Sequence, residues 1–298
     1  MHKALEAHYL LWERELTVES IMHALAILLP TGLSEKKAYH EIRTAFTEIM
    51  QSKDPYYAVC MKAFMWHWEG GEGDNIRNIN TADELVRRYQ EKYTREPFTL
   101  IEPREQYLEI GFLYELIDLI YYYGRIDMIV DWPGYHKVVV DHKTSRNVGS
   151  QKYMEFNPFF QGMGYLIAGR HHFDRVGAVC VNVLQTAATK KSLERYIETV
   201  TDDHINAWYR DAVDWVSELV ERYQKWRWPR DKGGYGGYCT HWGQCQFRPL
   251  CITPEYMTID DCDRNSPPGS YVESIWRPWE TDGKTETIGK EEVASGGT

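Results

Sequence analysis

Residues 124–146 read GRIDMIVDWPGYHKVVVDHKTSR, and the fold turns on how this stretch pairs with itself. From Arg125 to Asp131 the apolar side chains Ile126, Met128 and Val130 recur at every second position, the pattern of a strand with one face in a core. Trp132, Pro133 and Gly134 supply turn residues, and Lys137 to Lys143 resumes with Val138, Val139 and Val140. The pattern predicts a β-hairpin with a turn of about four residues. Antiparallel pairing brings Asp127 and Asp141 to the same end of it, and period-two alternation turns Asp141 and Lys143 to the same face.

Two carboxylates at one end of a sheet repel each other unless a cation lies between them, and hard oxygen ligands suit Mg²⁺ or Mn²⁺. An ammonium beside them can orient a water or balance charge on a phosphate. A surface hairpin with solvated charges has the same spacing, so these residues alone leave both readings open.

Further motifs stand in order around the hairpin. The chain opens Met1-His2-Lys3-Ala4-Leu5-Glu6, an H-x-x-x-E, while QGMGY after the hairpin carries Gln161 and Tyr165 as Q-x-x-x-Y. Cys239, Cys245 and Cys251 follow. With Asp127 and Asp141-His142-Lys143, this order resembles the PD-(D/E)XK nuclease superfamily, and its RecB-like branch in particular, over roughly residues 1 to 255. The resemblance implies an α/β fold: a restriction-endonuclease-like core whose central mixed sheet is flanked by helices, with a helical insertion and a Cys-containing C-terminal segment. It implies metal ligation by His2, Asp127, Asp141 and the backbone carbonyl of His142. It makes Lys143 a catalytic partner of the two aspartates, and Gln161 and Tyr165 DNA-binding residues. Arg125 and Arg146 flank the site as candidate phosphate contacts. His2 stands at a helix end that ordinarily frays; either the sheet pins that helix or the native chain starts upstream of Met1, and His8 is the weaker substitute.

The iron-sulfur members of that branch have three such cysteines, more closely spaced at the first gap, and a fourth upstream of the first histidine. This chain starts at the histidine, so a [4Fe-4S] cluster would take Cys60 or Cys262 as its fourth ligand. His241 with the three cysteines would instead make a tetrahedral Zn²⁺ site.

At 298 residues and 43% hydrophobic the chain can bury a substantial core. A net charge of -10 argues against a general nucleic-acid binder but not against an enzyme whose acidic site is neutralised by metal. Six cysteines are too sparse for a disulfide scaffold. No signal pattern leads the chain, and the longest apolar run, His23 to Pro30, is too short to span a bilayer. The expectation is a cytoplasmic protein with no membrane partner.

The periodicity places helices over 2–29, with Leu5, Tyr9, Trp12 and Leu16 on one stripe, then from Ser34 to Met50, Tyr56 to Trp68, and Thr81 to Tyr93 with Thr81 as N-cap and Glu84 closing a capping box. A first strand is expected from Leu100 to Phe112, a helix from Phe159 to Gly169, strands from Val176 to Leu184 and Glu194 to Thr199, and a long helix from Asp202 to Arg227. Residues 1–262 then form a single nuclease domain, with 30–97 as helical insertion and 229–262 as Cys-rich metal-binding segment, and 263–298 a C-terminal tail, largely disordered.

The function implied is a metal-dependent DNA nuclease, an exonuclease acting on ends or single strands in recombination and repair, phage replication or CRISPR adaptation, with a helicase or recombination protein as partner. The alternative is a catalytically inactive DNA-binding or structural subunit of the same fold; intact Asp127, Asp141 and Lys143 argue against it.

Overall fold

The hairpin forms where the alternation places it. A computed structural model describes residues 1–68, 78–149, 160–187, 191–225 and 286–288. Five helices come first: α1 (His2–Leu11), α2 (Val18–Leu28), α3 (Glu35–Met50), α4 (Pro55–Trp66) and α5 (Ile79–Lys92). Then follow β1 (Thr99–Leu100), α6 (Arg104–Tyr107), β2 (Leu108–Ile117), β3 (Ile120–Trp132) and β4 (His136–Ser145). After α7 (Phe160–His172) come β5 (Val176–Gln185), β6 (Leu193–Thr199), α8 (Asp202–Gln224) and β7 (Glu286–Ile288).

The strands form one sheet in the order β6-β5-β4-β3-β2-β7, with β1 also paired to β3. The β4–β5 and β2–β7 pairs are parallel and the others antiparallel, so the sheet is mixed and helices flank it, an α/β fold. A parallel pair needs a crossover, which α7 supplies between β4 and β5. On one face, Leu5 and Tyr9 of α1 and Leu85 and Tyr89 of α5 pack with Met128, Val130, Val138, Val140 and Cys180. On the other lies α7, where a Cβ added at Gly169 would sit 3.5 Å from Ile129, Val139 and Val176. Cover on both faces explains why VGAVCVNVL is apolar almost throughout.

Helix α1 is buried from Ala4 through Leu11, polar Glu6 and His8 included. Its position is therefore fixed by tertiary packing all round, and the sheet pins its first turn. The expected stripe through Trp12 and Leu16 does not exist. The helix stops at Leu11, Leu16 is 38% exposed, and a capping box between Thr17 and Ser20 starts α2 afresh.

Two other expectations are corrected. Asn78 and not Thr81 caps α5, its side chain accepting from the Thr81 N–H, while Glu84 pairs with Arg88 at 2.8 Å. The single strand expected from Leu100 to Phe112 is divided, because Pro103 cannot donate to a ladder and α6 intervenes before β2. Within the tail expected to be disordered, Glu286–Ile288 is strand and pairs with Phe112–Tyr114 of β2. The rest of that tail, GGEGD at 70–74 and the 229–262 segment lie outside the described residues.

Contacts divide the chain into two units, Met1–Tyr209 with Pro278–Thr298, and Arg210–Arg277. The described part of the second is the remainder of α8 and Lys225, carrying the ion pairs Arg222–Glu218 and Lys225–Glu221. No described helix is long and apolar enough to cross a membrane.

His8 is a core residue and not a substitute ligand. Its Nδ1 lies 2.8 Å from the Tyr56 hydroxyl, the rings of Tyr9, Trp12 and Tyr89 surround it, and burial pulls its pKa down to about 3. His142 is lowered to about 3 by the same cause. Both folded values lie below the unfolded value of about 6.5, so their stabilisation is complete above that pH and is lost as pH falls toward about 3. Between pH 7 and 5 each histidine should cost about 2 kcal/mol of stability. In urea unfolding of the metal-free protein, His8→Phe should therefore lose about 2 kcal/mol less than wild type on going from pH 7 to pH 5; an equal change in the two proteins would refute the assignment.

Candidate active site

The cross-strand register of the hairpin ends at Met128↔Val140, and Asp127 and Asp141 are the next residues beyond it. There the His142 N–H donates to Asp127 Oδ2 at 2.6 Å, so a carboxylate stands where the ladder would continue. Lys143 Nζ lies 3.0 Å from Asp141 Oδ1, on the shared face that the alternation predicts. From the α1 side His2 Nδ1 reaches Asp127 Oδ1 at 3.2 Å.

One participant was not foreseen. Glu109 sits in β2 between Leu108, paired with Met128, and Ile110, paired with Ile126, and so comes opposite Asp127. Its φ of 53° is rare for a residue other than glycine. The ligand atoms of His2, Glu109 and Asp127 all lie within 4.8 Å of one another. The signal in the sequence was a charge inside the alternating run Leu108-Glu109-Ile110, just ahead of the hairpin.

These groups strain against one another. Asp141 is 1% exposed, and burial followed by the charge of Asp127 raises its pKa to about 6. Burial, then Glu6 and Asp127, raise Glu109 to about 7. Burial pushes Asp127 up too, but the hydrogen bond and charge of His2, aided by the His142 N–H, bring it below its ordinary value. His2 rises in turn, since Asp127 and Glu109 outweigh the opposing effect of burial. Asp141 Oδ2 is buried without a hydrogen bond, the Lys143 ammonium at 2.9 Å lying off the bonding direction. Clustered carboxyls, an imidazole and a buried oxygen lacking a donor make a donor set that fits a hard divalent cation.

The family model for the PD-(D/E)XK nuclease superfamily matches residues 1–252. The chain belongs to that superfamily. No curated protein matches it. PD-(D/E)XK proteins are generally nucleases acting on DNA and typically use divalent metals such as Mg²⁺.

The Q-x-x-x-Y pair lies beside this centre. Gln161 Nε2 donates to the Tyr165 hydroxyl, and the negative charges of Asp141 and Asp127 add to burial in raising the Tyr165 pKa well above its usual value. Tyr165 is only 5% exposed, its ring edge-on to Phe112, so most of it is core and Gln161 is the more accessible partner. Two glycines make this packing fit: a Cβ at Gly164 would meet Tyr122 at 2.4 Å, and one at Gly124 would meet Phe112 at 2.9 Å. Arg125 faces Glu109 at 3.7 Å, whereas Arg146 is exposed and its carbonyl accepts from Gln185. Cys239, Cys245, Cys251, Cys262 and His241 lie outside the described residues. Cys60 is fully buried in the apolar core, where burial raises its thiol pKa strongly, a poor setting for a cluster thiolate.

Glu109 carries a raised carboxyl pKa, which destabilises the fold above pH 4.5 and most fully above its folded value of about 7. Glu109→Gln should therefore stabilise the metal-free protein at pH 8 by about 3 kcal/mol, while weakening the thermal stabilisation given by Mn²⁺. Calorimetry with and without Mn²⁺ checks both, and a variant less stable than wild type without metal would contradict the repulsion.

Proposed function

We propose that this PD-(D/E)XK protein is a metal-dependent deoxyribonuclease of the RecB-like branch that acts as an exonuclease on DNA ends or single strands. The observation that carries the reading is the convergence of Asp127, Asp141, Lys143 and His2 on one sheet end. The branch is supported by α1, whose His2 reaches Asp127, and by Gln161 and Tyr165 beside the carboxylates.

Asp127, Asp141, Glu109, His2 and the carbonyl of His142 would hold the cation, which when bound supplies Lewis-acid polarisation of a phosphoryl oxygen and an acidified water. Hydrolysis forms a bond from a water oxygen to phosphorus and breaks the bond to the departing nucleoside oxygen. Lys143, held by Asp141, positions that water and balances charge gathering on the phosphoryl oxygens. Gln161, able to donate and accept, meets the DNA backbone near the cut. Lys143 also bears on the alternative of an inactive subunit, since an ammonium held against a buried aspartate has no evident use in a protein that only binds.

The cysteines would hold a [4Fe-4S] cluster. With Cys60 committed to the core, Cys262 is the remaining candidate for the fourth ligand, and Zn²⁺ with His241 is the competing site. Anaerobically purified protein should be brown; colourless protein with one stoichiometric zinc would decide for His241.

End-labelled single- and double-stranded DNA incubated with Mg²⁺, Mn²⁺ or EDTA tests the main reading. Cleavage should need metal, Asp141→Ala should abolish it while leaving the fold intact, and Lys143→Ala should lose at least about two orders of magnitude in rate. Activity retained in purified Asp141→Ala would sink the metal assignment.

A further inference from the structure

Beside the carboxylates lies a cleft of about 490 Å³ whose walls include His2, Phe64, Trp68, Thr81, Thr144 and Thr186. It adjoins the catalytic centre at His2, which belongs to both, while Thr144, next after Lys143 along β4, faces the other side of the sheet. The volume is that of a small-ligand site, where about 300–1,000 Å³ is usual.

The lining shows what chemistry it would recognise. A phosphate subsite would need uncommitted cations, but the lining side chains Lys3 and His2 are engaged, Lys3 with Glu6 at 2.6 Å and His2 with Asp127 at 3.2 Å. An aliphatic ligand would leave the threonines idle. Among the described residues no hydrogen bond engages the hydroxyls of Thr81, Thr144 or Thr186, although Thr81 and Thr186 are largely buried. Trp68 and Phe64 stand 5.2 Å apart by ring centroids and bring aromatic surface to the same cleft. Flat aromatic surface together with hydroxyls able both to donate and to accept is what a nucleobase meets with its π-face and its polar edge.

We propose that this cleft is a nucleobase subsite, receiving one unpaired base of the DNA strand being cut and so selecting single-stranded or frayed ends over intact duplex. The proposal rests on the nuclease reading and gives it a substrate form. Inside a duplex the bases face one another and are stacked, so a base enters such a cleft only after leaving the stack, which costs least where it was never paired. Because His2 both lines the cleft and reaches Asp127, a strand whose phosphate lies at the carboxylates passes its neighbouring nucleotide around the sheet end to the mouth of the cleft, on the face opposite Lys143. Selection then comes from the space beside the metal centre and not from the metal centre itself.

The test uses the full chain with Mn²⁺, single-stranded and blunt duplex oligonucleotides of one sequence, and single-stranded oligonucleotides bearing an abasic residue at each position flanking the cut. The baseless diester bis(4-nitrophenyl) phosphate reads the metal centre alone. One flanking position should be sensitive, an abasic residue there slowing cleavage at least about tenfold, the scale of one lost base–aromatic stack. Trp68→Ala and the near-isosteric Thr186→Val should each reduce cleavage of the natural single strand and shrink the abasic penalty, with hydrolysis of the small diester unchanged. Equal rates at every abasic position, or variants that keep the full single-strand preference, would overturn the subsite. If wild type hydrolyses neither DNA nor the small diester, the nuclease reading has failed. The cleft is then decided by binding: an oligonucleotide carrying 2-aminopurine should be quenched by wild type and at least about tenfold less tightly bound by Trp68→Ala, and equal affinity overturns it.

Discussion

Carboxyl groups crowded together where water reaches them only in part are the constraint on which this molecule depends. Asp127 and Asp141 lie just past the last cross-strand pair of the hairpin, and Glu109 stands opposite Asp127 on the neighbouring strand. Their mutual repulsion is offset only in part, by the imidazole of His2, the ammonium of Lys143 and the amide of His142. Asp141 and Glu109 remain displaced toward their neutral forms. A sheet optimised for stability would carry apolar side chains at these positions, as it does two residues along the same face at Ile129 and Val139. The retained cost is the physical mark of a site prepared for positive charge.

Behind this centre the protein is stiff for a different reason. Arg195 of β6 pairs with Glu96 in the interior, at side-chain exposures of 9% and 1%, and also donates to the Tyr89 hydroxyl at 2.9 Å. Asn182 joins Tyr89 at 2.7 Å to the His142 ring at 2.8 Å, and Tyr9 stacks on that ring with planes 10° apart. A buried ion pair of this kind adds little net stability, but its partners cannot move independently without stranding a charge. His142 is thereby held by its side chain, and its backbone, which serves Asp127, is held with it.

The hairpin was legible because its information is local: alternation, a Pro-Gly turn and a two-residue offset fix which side chains share a face. The Q-x-x-x-Y helix was legible in position but not in exposure, since nothing along the chain says that Gly124 and Gly164 let Tyr165 sink into the core. Glu109 could not be assigned because its place opposite Asp127 is set by the β2–β3 register, and the chain before β2 was read as strand across Pro103. The Thr81 cap failed by one turn for a similar reason. Asn78 offers an equally good acceptor three residues earlier, and the helix starts from it.

His2 and Asp127 meet across 125 residues of chain. Closing a loop of that length costs on the order of 4 kcal/mol in chain entropy beyond a constant, which the burial of α1 must offset before the imidazole can stay in place. A growing or partly folded chain therefore carries the acidic hairpin without its histidine, and the centre is complete only after the first helix has docked against strands made much later. The meeting of imidazole and carboxylate is thus tied to finished folding, since neither end of the loop can hold the other until α1 is buried.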